Sequence, residues 1–289
     1  LHLCLMELNV GPDDVVYIPD YTFVATANVA RVVKANIVLI DVDLDSYCLS
    51  PEAFSKRVME TRHKYEKAYV IPVMEFGCPI NTVDISAICQ SENIEIIEDA
   101  ACALGAQSGG SLIGSNSRYS CFSFHPRKSI TTGEGGFIAT NDEYIAANLR
   151  SLRNHGLKPD IKGGYCCEIA GLNYRLTDIA AALGRSQLKR LPDSLQIRKQ
   201  LVAFYYEYLG SNKNIRLPAD IPGHSWQSFV VQLPPDRLNL DIVKKMKEKG
   251  IETSIGAYSL SLQPAYASLD DNELVNSKYL AKHGLAIPL

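Results

Sequence analysis

Through the first half of the chain, short runs of β-branched and aliphatic residues alternate with longer helical patterns, and this alternation restricts the fold more than any other feature. VVYIP (Val15–Pro19), NIVLIDV (Asn36–Val42), AYVIPV (Ala68–Val73) and NIEIIEDA (Asn93–Ala100) read as strands. Helical patterns fall between them, over Phe23–Val33, from Pro51 to about Thr61, and over Thr82–Ser91. Ser50 followed by Pro51 predicts a helix start, a capping hydroxyl ahead of a proline at the first helical position. Strands apolar on both faces and linked through helices predict an α/β chain with a mainly parallel sheet covered on both sides. Ligands in such sheets bind beyond the carboxyl ends of the strands, and Asp99 stands at one of those ends.

Further along, YSCFSF and FIAT read as strands around the irregular, glycine-rich PRKSITTGEGG, with Asn141 expected to cap a helix over Asp142–Arg153. Asn154–Gly171 reads as a polar loop. Thr177–Gly210 is helical in pattern, with Pro192 expected to break or kink it. SFVVQL, a helix over Leu240–Lys249 bounded by Asn239 and Gly250, IETSI and the closing AIPL predict a second, smaller α/β unit. A length of 289 residues accommodates both, a large domain over 1–210 and a small, incomplete one over 211–289. The opening LHLCLMELNV reads as the tail of an amphipathic helix and starts on leucine, so a missing segment is expected ahead of it.

Composition closes off several function classes. Hydrophobic residues at 46%, charged residues at 21% and a formal charge of -3 describe an ordinary globular protein with no call for nucleic acid. The eight cysteines include no CxxC pair and several sit in apolar runs, so free thiols in a reducing, cytoplasmic setting are expected. No metal signature is present, and no apolar run approaches the ~20 residues of a membrane span. Neither GGSLIG nor GEGG has dinucleotide spacing, and GxxxxGK[ST] is absent.

Within SFHPRKSITTGEGG (Ser123–Gly136), Lys128 sits in a loop between two strands. A lysine used for Schiff-base chemistry needs limited solvation and a deprotonated fraction; the alternative is a surface lysine in a flexible loop. Ser123 and His125 could donate to an anion, and Gly133, Gly135 and Gly136 let backbone approach a flat ligand or take positive φ. Asp99 reads either as a strand-end cap or as the partner of a positively charged ring nitrogen. Phe23 reads as a core aromatic or a stacking platform, and Asn173 and Arg175 as loop-closing or anion-binding residues. Trp226 defaults to a structural role.

Taken in order, PDYTFVATANVA, IIEDAACALGA, SFHPRKSITTGEGG, LRNHG and GLNYRLTDIAAALG resemble the DegT/DnrJ/EryC1/StrS family of pyridoxal-phosphate sugar aminotransferases over nearly the whole chain. The resemblance implies the aspartate-aminotransferase-like fold type I, a three-layer α/β/α large domain with a smaller C-terminal α/β domain. It implies a homodimer with active sites at the interface. It also implies transfer of an amino group from glutamate or glutamine, through pyridoxal 5'-phosphate, to a keto group of a nucleotide-linked sugar. Carried over by position, Lys128 would bind the cofactor covalently and act as base and acid, and Asp99 would pair with its ring nitrogen. Phe23 and Ala101 would take the two ring faces, while Ser123, with Asn173 from the partner subunit, would hold the phosphate.

Two departures from the family pattern stand out. Cys102 occupies a position where the family usually has glutamine or histidine near the ring hydroxyl, and a thiol is a weaker donor. A GTSAL-like phosphate-binding segment is expected just before Leu1, and further small-domain helices beyond Leu289. Alternative functions are a dehydratase of the same fold, whose best-known branch replaces the lysine by histidine, and a non-catalytic binding or regulatory relative.

Overall fold

The computed structural model describes residues 1–80 and 82–289. Its central parallel sheet runs in the order Asn36–Ile40, Val15–Pro19, Ala68–Val70, Ile94–Ile96. Tyr17 is flanked by Val38 on one side and Val70 on the other. After Ile97 the last strand resumes as Glu98–Asp99, which bridges to Val73 and pairs in parallel with Ser120–Ser123. Gly136–Ala139 then runs antiparallel to Ser120–Ser123. The α/β expectation from the sequence therefore holds, with one reversed strand.

Alternation along each strand sends neighbouring side chains to opposite faces. Val16, Ile18, Leu39 and Ile71 pack with Leu5, Ala27 and Leu149, which belong to helices His2–Glu7, Ala25–Val32 and Glu143–Leu152. Val15, Tyr17, Val38 and Val70 pack instead with Phe54, Val58, Ile85 and Cys89 of helices Pro51–Thr61 and Thr82–Glu92. Two apolar faces, each closed by helices, explain why every residue of Val15–Pro19 is buried. Ser50 caps its helix as its sequence predicts, its hydroxyl accepting from Ala53 N at 3.3 Å.

A second, antiparallel sheet follows the order Phe229–Gln232, Gly284–Ile287, Ser254–Ile255, with helices Asn239–Glu248 and Val275–His283. It is tied to the first sheet beside the strand end at Pro19. Tyr21–Thr22 pairs with Tyr258–Ser259, and the buried Asp20 carboxylate accepts from Ser259 Oγ, Ser261 N and Ser261 Oγ.

Two local expectations are corrected and one is met. Asp142, not Asn141, caps the next helix, accepting from Tyr144 N and Ile145 N, while Asn141 turns its amide to Ser115 O. The long helical stretch breaks just ahead of Pro192, at Arg190, between Asp178–Lys189 and Leu191–Leu209, and the proline sits in the first turn of the second helix, where its missing N–H costs nothing. Asn239 lies inside its helix and uses its amide on Ala281 O and Gly284 O, tying the helix to the next strand instead of capping it. The polar stretch Asn154–Gly171 also contains a hairpin, Leu157–Pro159 with Tyr165–Cys167.

Candidate functional site

The carboxyl ends of the central strands bring together residues far apart in sequence. Asp99 ends its strand with a carboxylate only 5% exposed. Thr26, in the first turn of helix Ala25–Val32, donates to its Oδ2 at 2.8 Å, and Ala101 N donates to Oδ1 at 3.2 Å. The second donor exists because the chain turns sharply after the strand, so that the backbone folds back on its own side chain. Lys128 reaches in from the loop that follows Ser120–Ser123 and donates from Nζ to Cys102 Sγ at 3.0 Å. It is not the freely solvated lysine of a flexible loop: Lys128 N bonds to His125 O, and Gln227 Nε2 anchors the adjoining Arg127 O.

A carboxylate that sequence reasoning does not single out completes the cluster. Glu75 is 6% exposed and follows the apolar run AYVIPVM just beyond a strand end, the same kind of position as Asp99. Phe76 and Gly77 next to it both have positive φ, at 56° and 92°. A Cβ on Gly77 would lie 2.2 Å from Ser225 Oγ and 2.9 Å from Cys102 O, so only glycine lets this turn approach the Cys102 loop. The sequence signal available for Glu75 was a lone acid between apolar residues at a strand's carboxyl end.

Electrostatics follow from this crowding. Burial pushes the Glu75 carboxyl up to about 7, with Lys128 pulling it down and Asp99 pushing it further up. Burial likewise pushes the Cys102 thiol up to about 11, against the pull of Lys128. For Lys128, burial disfavours the charge, but Cys102, Glu75 and Asp99 outweigh it and hold the ammonium above the ordinary lysine range. The cluster is thus one cation facing two buried carboxyl groups.

The other expected site residues lie at varying distances from this cluster. Phe23 heads the helix that carries Thr26; its ring is 60% exposed and sits tilted beside Tyr258, with centroids 6.5 Å apart. Ser123 ends the strand before the lysine loop, and its hydroxyl accepts from His125 N at 3.3 Å. Asn173 is exposed and occupied locally, accepting from Arg175 N, while Arg175 bonds Asn154 Oδ1 at 2.7 Å. Within one chain it does not join the Lys128 cluster. Trp226 is buried and stacks on His224 at 3.8 Å, a packing role as expected. Gly135 takes φ +150°, and a Cβ there would meet Thr132 Oγ1 at 2.7 Å. A separate cleft of about 730 Å³, bordered by Tyr69, Glu95 and Arg118, has none of the Lys128 cluster in its walls.

Among the described residues, no three His, Cys, Asp or Glu side chains are grouped to hold a metal ion, and no helix is long and apolar enough to cross a membrane.

Known proteins share this fold. The family model described as "DegT/DnrJ/EryC1/StrS aminotransferase family" matches residues 1–289. The chain is 33% identical to GDP-perosamine synthase of Caulobacter vibrioides, over all of this chain and 77% of that protein. Among solved structures, a DegT DnrJ EryC1 StrS aminotransferase from Brucella abortus superposes with a TM-score of 0.91 at 30% identity, covering 100% of this chain and 78% of that one. DesV of S. venezuelae superposes with a TM-score of 0.89 at 28% identity, covering 100% and 76%.

Proposed function

The chain belongs to the DegT/DnrJ/EryC1/StrS aminotransferase family, and from that premise we propose that it moves an amino group from glutamate or glutamine to a keto group of a nucleotide-linked sugar. Membership makes it a pyridoxal-phosphate-dependent aminotransferase with the aspartate-aminotransferase-like, fold type I architecture. The similar GDP-perosamine synthase, a GDP-sugar enzyme by its name, supports the nucleotide-linked substrate class.

The observation that carries this reading is the convergence of Lys128, Cys102 and the buried Asp99 on one cluster at the strand ends. Pyridoxal phosphate, when bound, supplies an aldehyde carbon to take up the amino group and a ring that draws electrons from it. The residues present fit that group: the Lys128 amine, only partly exposed, lies against Cys102 Sγ, with the buried Asp99 carboxylate near enough to act on it electrostatically. Lys128 would hold the cofactor covalently and Asp99 its ring nitrogen; Thr26 and Ala101 N keep the Asp99 carboxylate oriented. Phe23 and Ala101 would border the two ring faces, Cys102 the ring hydroxyl and Ser123 the phosphate. In the reaction, Lys128 Nζ takes the proton from the donor's α carbon and returns a proton to the acceptor sugar.

Asn173 serves the partner's site in this reading, which its exposure and its separation from its own Lys128 cluster support. A homodimer is supported by helix Asp178–Lys189, which buries none of its residues and leaves Ile179 86% exposed, with the exposed Leu183 one turn along the same face. We draw the boundary between the cofactor-binding and small domains at 210/211, a division supported by their separate sheets. A cytoplasmic setting is supported by eight cysteines, all free.

Adding pyridoxal phosphate to the protein tests the assignment. A visible absorption band is expected, absent in Lys128→Ala and bleached by glutamate. A normal band in the alanine variant would overturn the role of Lys128. A bound cofactor indifferent to glutamate and glutamine would overturn the aminotransferase reading in favour of the dehydratase.

A further inference from the structure

Two nucleophiles of different kinds meet at the centre of the cluster. Lys128 Nζ lies 3.0 Å from Cys102 Sγ. One tetrahedral carbon bonded to both an amine nitrogen and a sulfur would hold the two only slightly closer than this. Both groups are presented from anchored backbone. Cys102 O accepts from Ser225 Oγ at 3.4 Å, and Ala103 N donates to Ala100 O at 2.9 Å to close the turn around it. On the other side, Lys128 N donates to His125 O at 2.9 Å. Nucleophiles already held at the separation that a product requires react with one carbon as if intramolecular. Cys102 is also partly exposed, whereas Cys4, Cys48, Cys78, Cys89 and Cys121 are buried in the core.

We propose that Lys128 and Cys102 form a paired amine–thiol site that closes on a single aldehyde carbon, Cys102 adding to the carbon that Lys128 has captured. The inference deepens the reading of Lys128 as the cofactor-binding lysine and rests on it for the identity of the aldehyde. In pyridoxal phosphate the aldehyde and the hydroxyl stand on neighbouring ring carbons, so a side chain bordering the hydroxyl also borders the aldehyde carbon. Lys128, once its ammonium form has shed a proton to solvent, condenses with the aldehyde; a carbon–nitrogen double bond forms and one water leaves. Cys102 Sγ then donates an electron pair to that carbon, the second pair of the double bond moves to Nζ, and the thiol proton follows it there. Sγ already sits at hydrogen-bond distance from Nζ, so this proton has a direct path. Aldehyde, amine and thiol thus give one tetrahedral carbon bearing nitrogen and sulfur, plus water, with no oxidant or reductant consumed. Burial holds the thiol up to about 11, so near neutral pH it still carries the proton that the step needs. The addition is reversible, and the carbon rests in a saturated state that opens when Cys102 leaves.

Carbon NMR of the full, cofactor-free chain tests this by reading the carbon itself, without turnover. The first probe is pyridoxal phosphate isotopically labelled at its aldehyde carbon, because a carbon doubly bonded to nitrogen and a tetrahedral carbon bearing nitrogen and sulfur resonate in well-separated regions. The parent is expected to show the tetrahedral signal. Cys102→Ser, with a far weaker nucleophile in the same place, is expected to lose that signal and to gain visible absorption. A tetrahedral signal that persists in Cys102→Ser, or a parent whose bound carbon is only doubly bonded, would overturn the proposal. Should Cys102→Ser fail to fold, the parent spectrum alone still decides, since the absence of the tetrahedral carbon refutes the site. Labelled formaldehyde is the second probe and separates the sources of the aldehyde. A bridging carbon lost in both Cys102→Ser and Lys128→Ala shows that the pair also takes small free aldehydes; that signal without a cofactor signal would overturn the role of Cys102 toward the cofactor. The cofactor reading fails separately, through a visible band that persists in Lys128→Ala, and the formaldehyde experiment still tests the pair in that event.

Discussion

Raising the pH from 5 to 8 should destabilise the cofactor-free chain at one identifiable group, and Glu75→Gln should remove the effect. In the folded chain the Glu75 carboxyl is raised from 4.5 to about 7, chiefly by burial. The folded state therefore binds this proton more tightly than the unfolded state. Its contribution is fully present below about 4.5 and is lost as pH rises through about 7. Integrated between pH 5 and pH 8, the difference amounts to roughly 2–3 kcal/mol. Lys128 does not confuse the measurement, because its pKa is raised from an already high value and it stays charged in both states across this range. Urea unfolding of parent and variant at pH 5, 6, 7 and 8 is the assay. The stability of Glu75→Gln relative to the parent should climb by roughly 2–3 kcal/mol from pH 5 to pH 8. Two curves that run parallel over this range would show that Glu75 is not a buried, titrating carboxyl, and the argument from its burial would fail.

Other perturbations follow from the same geometry. Thr26→Val removes the hydroxyl that donates to Asp99 and leaves a buried carboxylate short of a partner, which should cost about 1–3 kcal/mol in urea unfolding and weaken cofactor affinity in a spectroscopic titration. Asp20→Ala strands three donors, Ser259 Oγ, Ser261 N and Ser261 Oγ, and should loosen the 258–261 segment, seen as faster amide exchange there with a loss of about 2–4 kcal/mol. Phe54→Ala, in a fully buried site on the opposite face from Thr26, should cost about 3–5 kcal/mol by thermal or urea unfolding without altering the cofactor spectrum of the remaining folded protein. Ile179→Glu, on the uncovered face of helix Asp178–Lys189, should leave monomer stability within about 0.5 kcal/mol but shift sedimentation toward the monomer.

Much of the scaffold was legible because its signals are local. The Ser50–Pro51 start was read from two adjacent residues, and the helix begins there. The four parallel strands were visible as apolar runs because both faces are covered. Local rules misassigned residues whose partners are distant. Asn141 and Asn239 look like caps, but their amides bond to Ser115, Ala281 and Gly284, segments that local spacing does not include. At the site, Lys128, Asp99 and Cys102 were reachable through motif order, and the fold brings them onto one cluster. Glu75 was not reachable in this way. Its one sequence signal, a lone acid between apolar residues past a strand end, does not separate a buried carboxyl from an exposed one; the close approach of Gly77 to Ser225 and Cys102, which closes the turn over it, does.

By itself the sequence determined the βα order, the covered sheet and the loop that holds Lys128, since periodicity, caps and turns act over a few residues. Only the tertiary structure decided that a second carboxyl is buried within electrostatic reach of that lysine and that Thr26 and Cys102 make the contacts they do. Those contacts join residues 73 positions apart, from Thr26 to Asp99, and 26 apart, from Cys102 to Lys128. Burial and hydrogen-bond direction are properties of what surrounds a side chain, and the surroundings exist only once the strands have aligned their carboxyl ends.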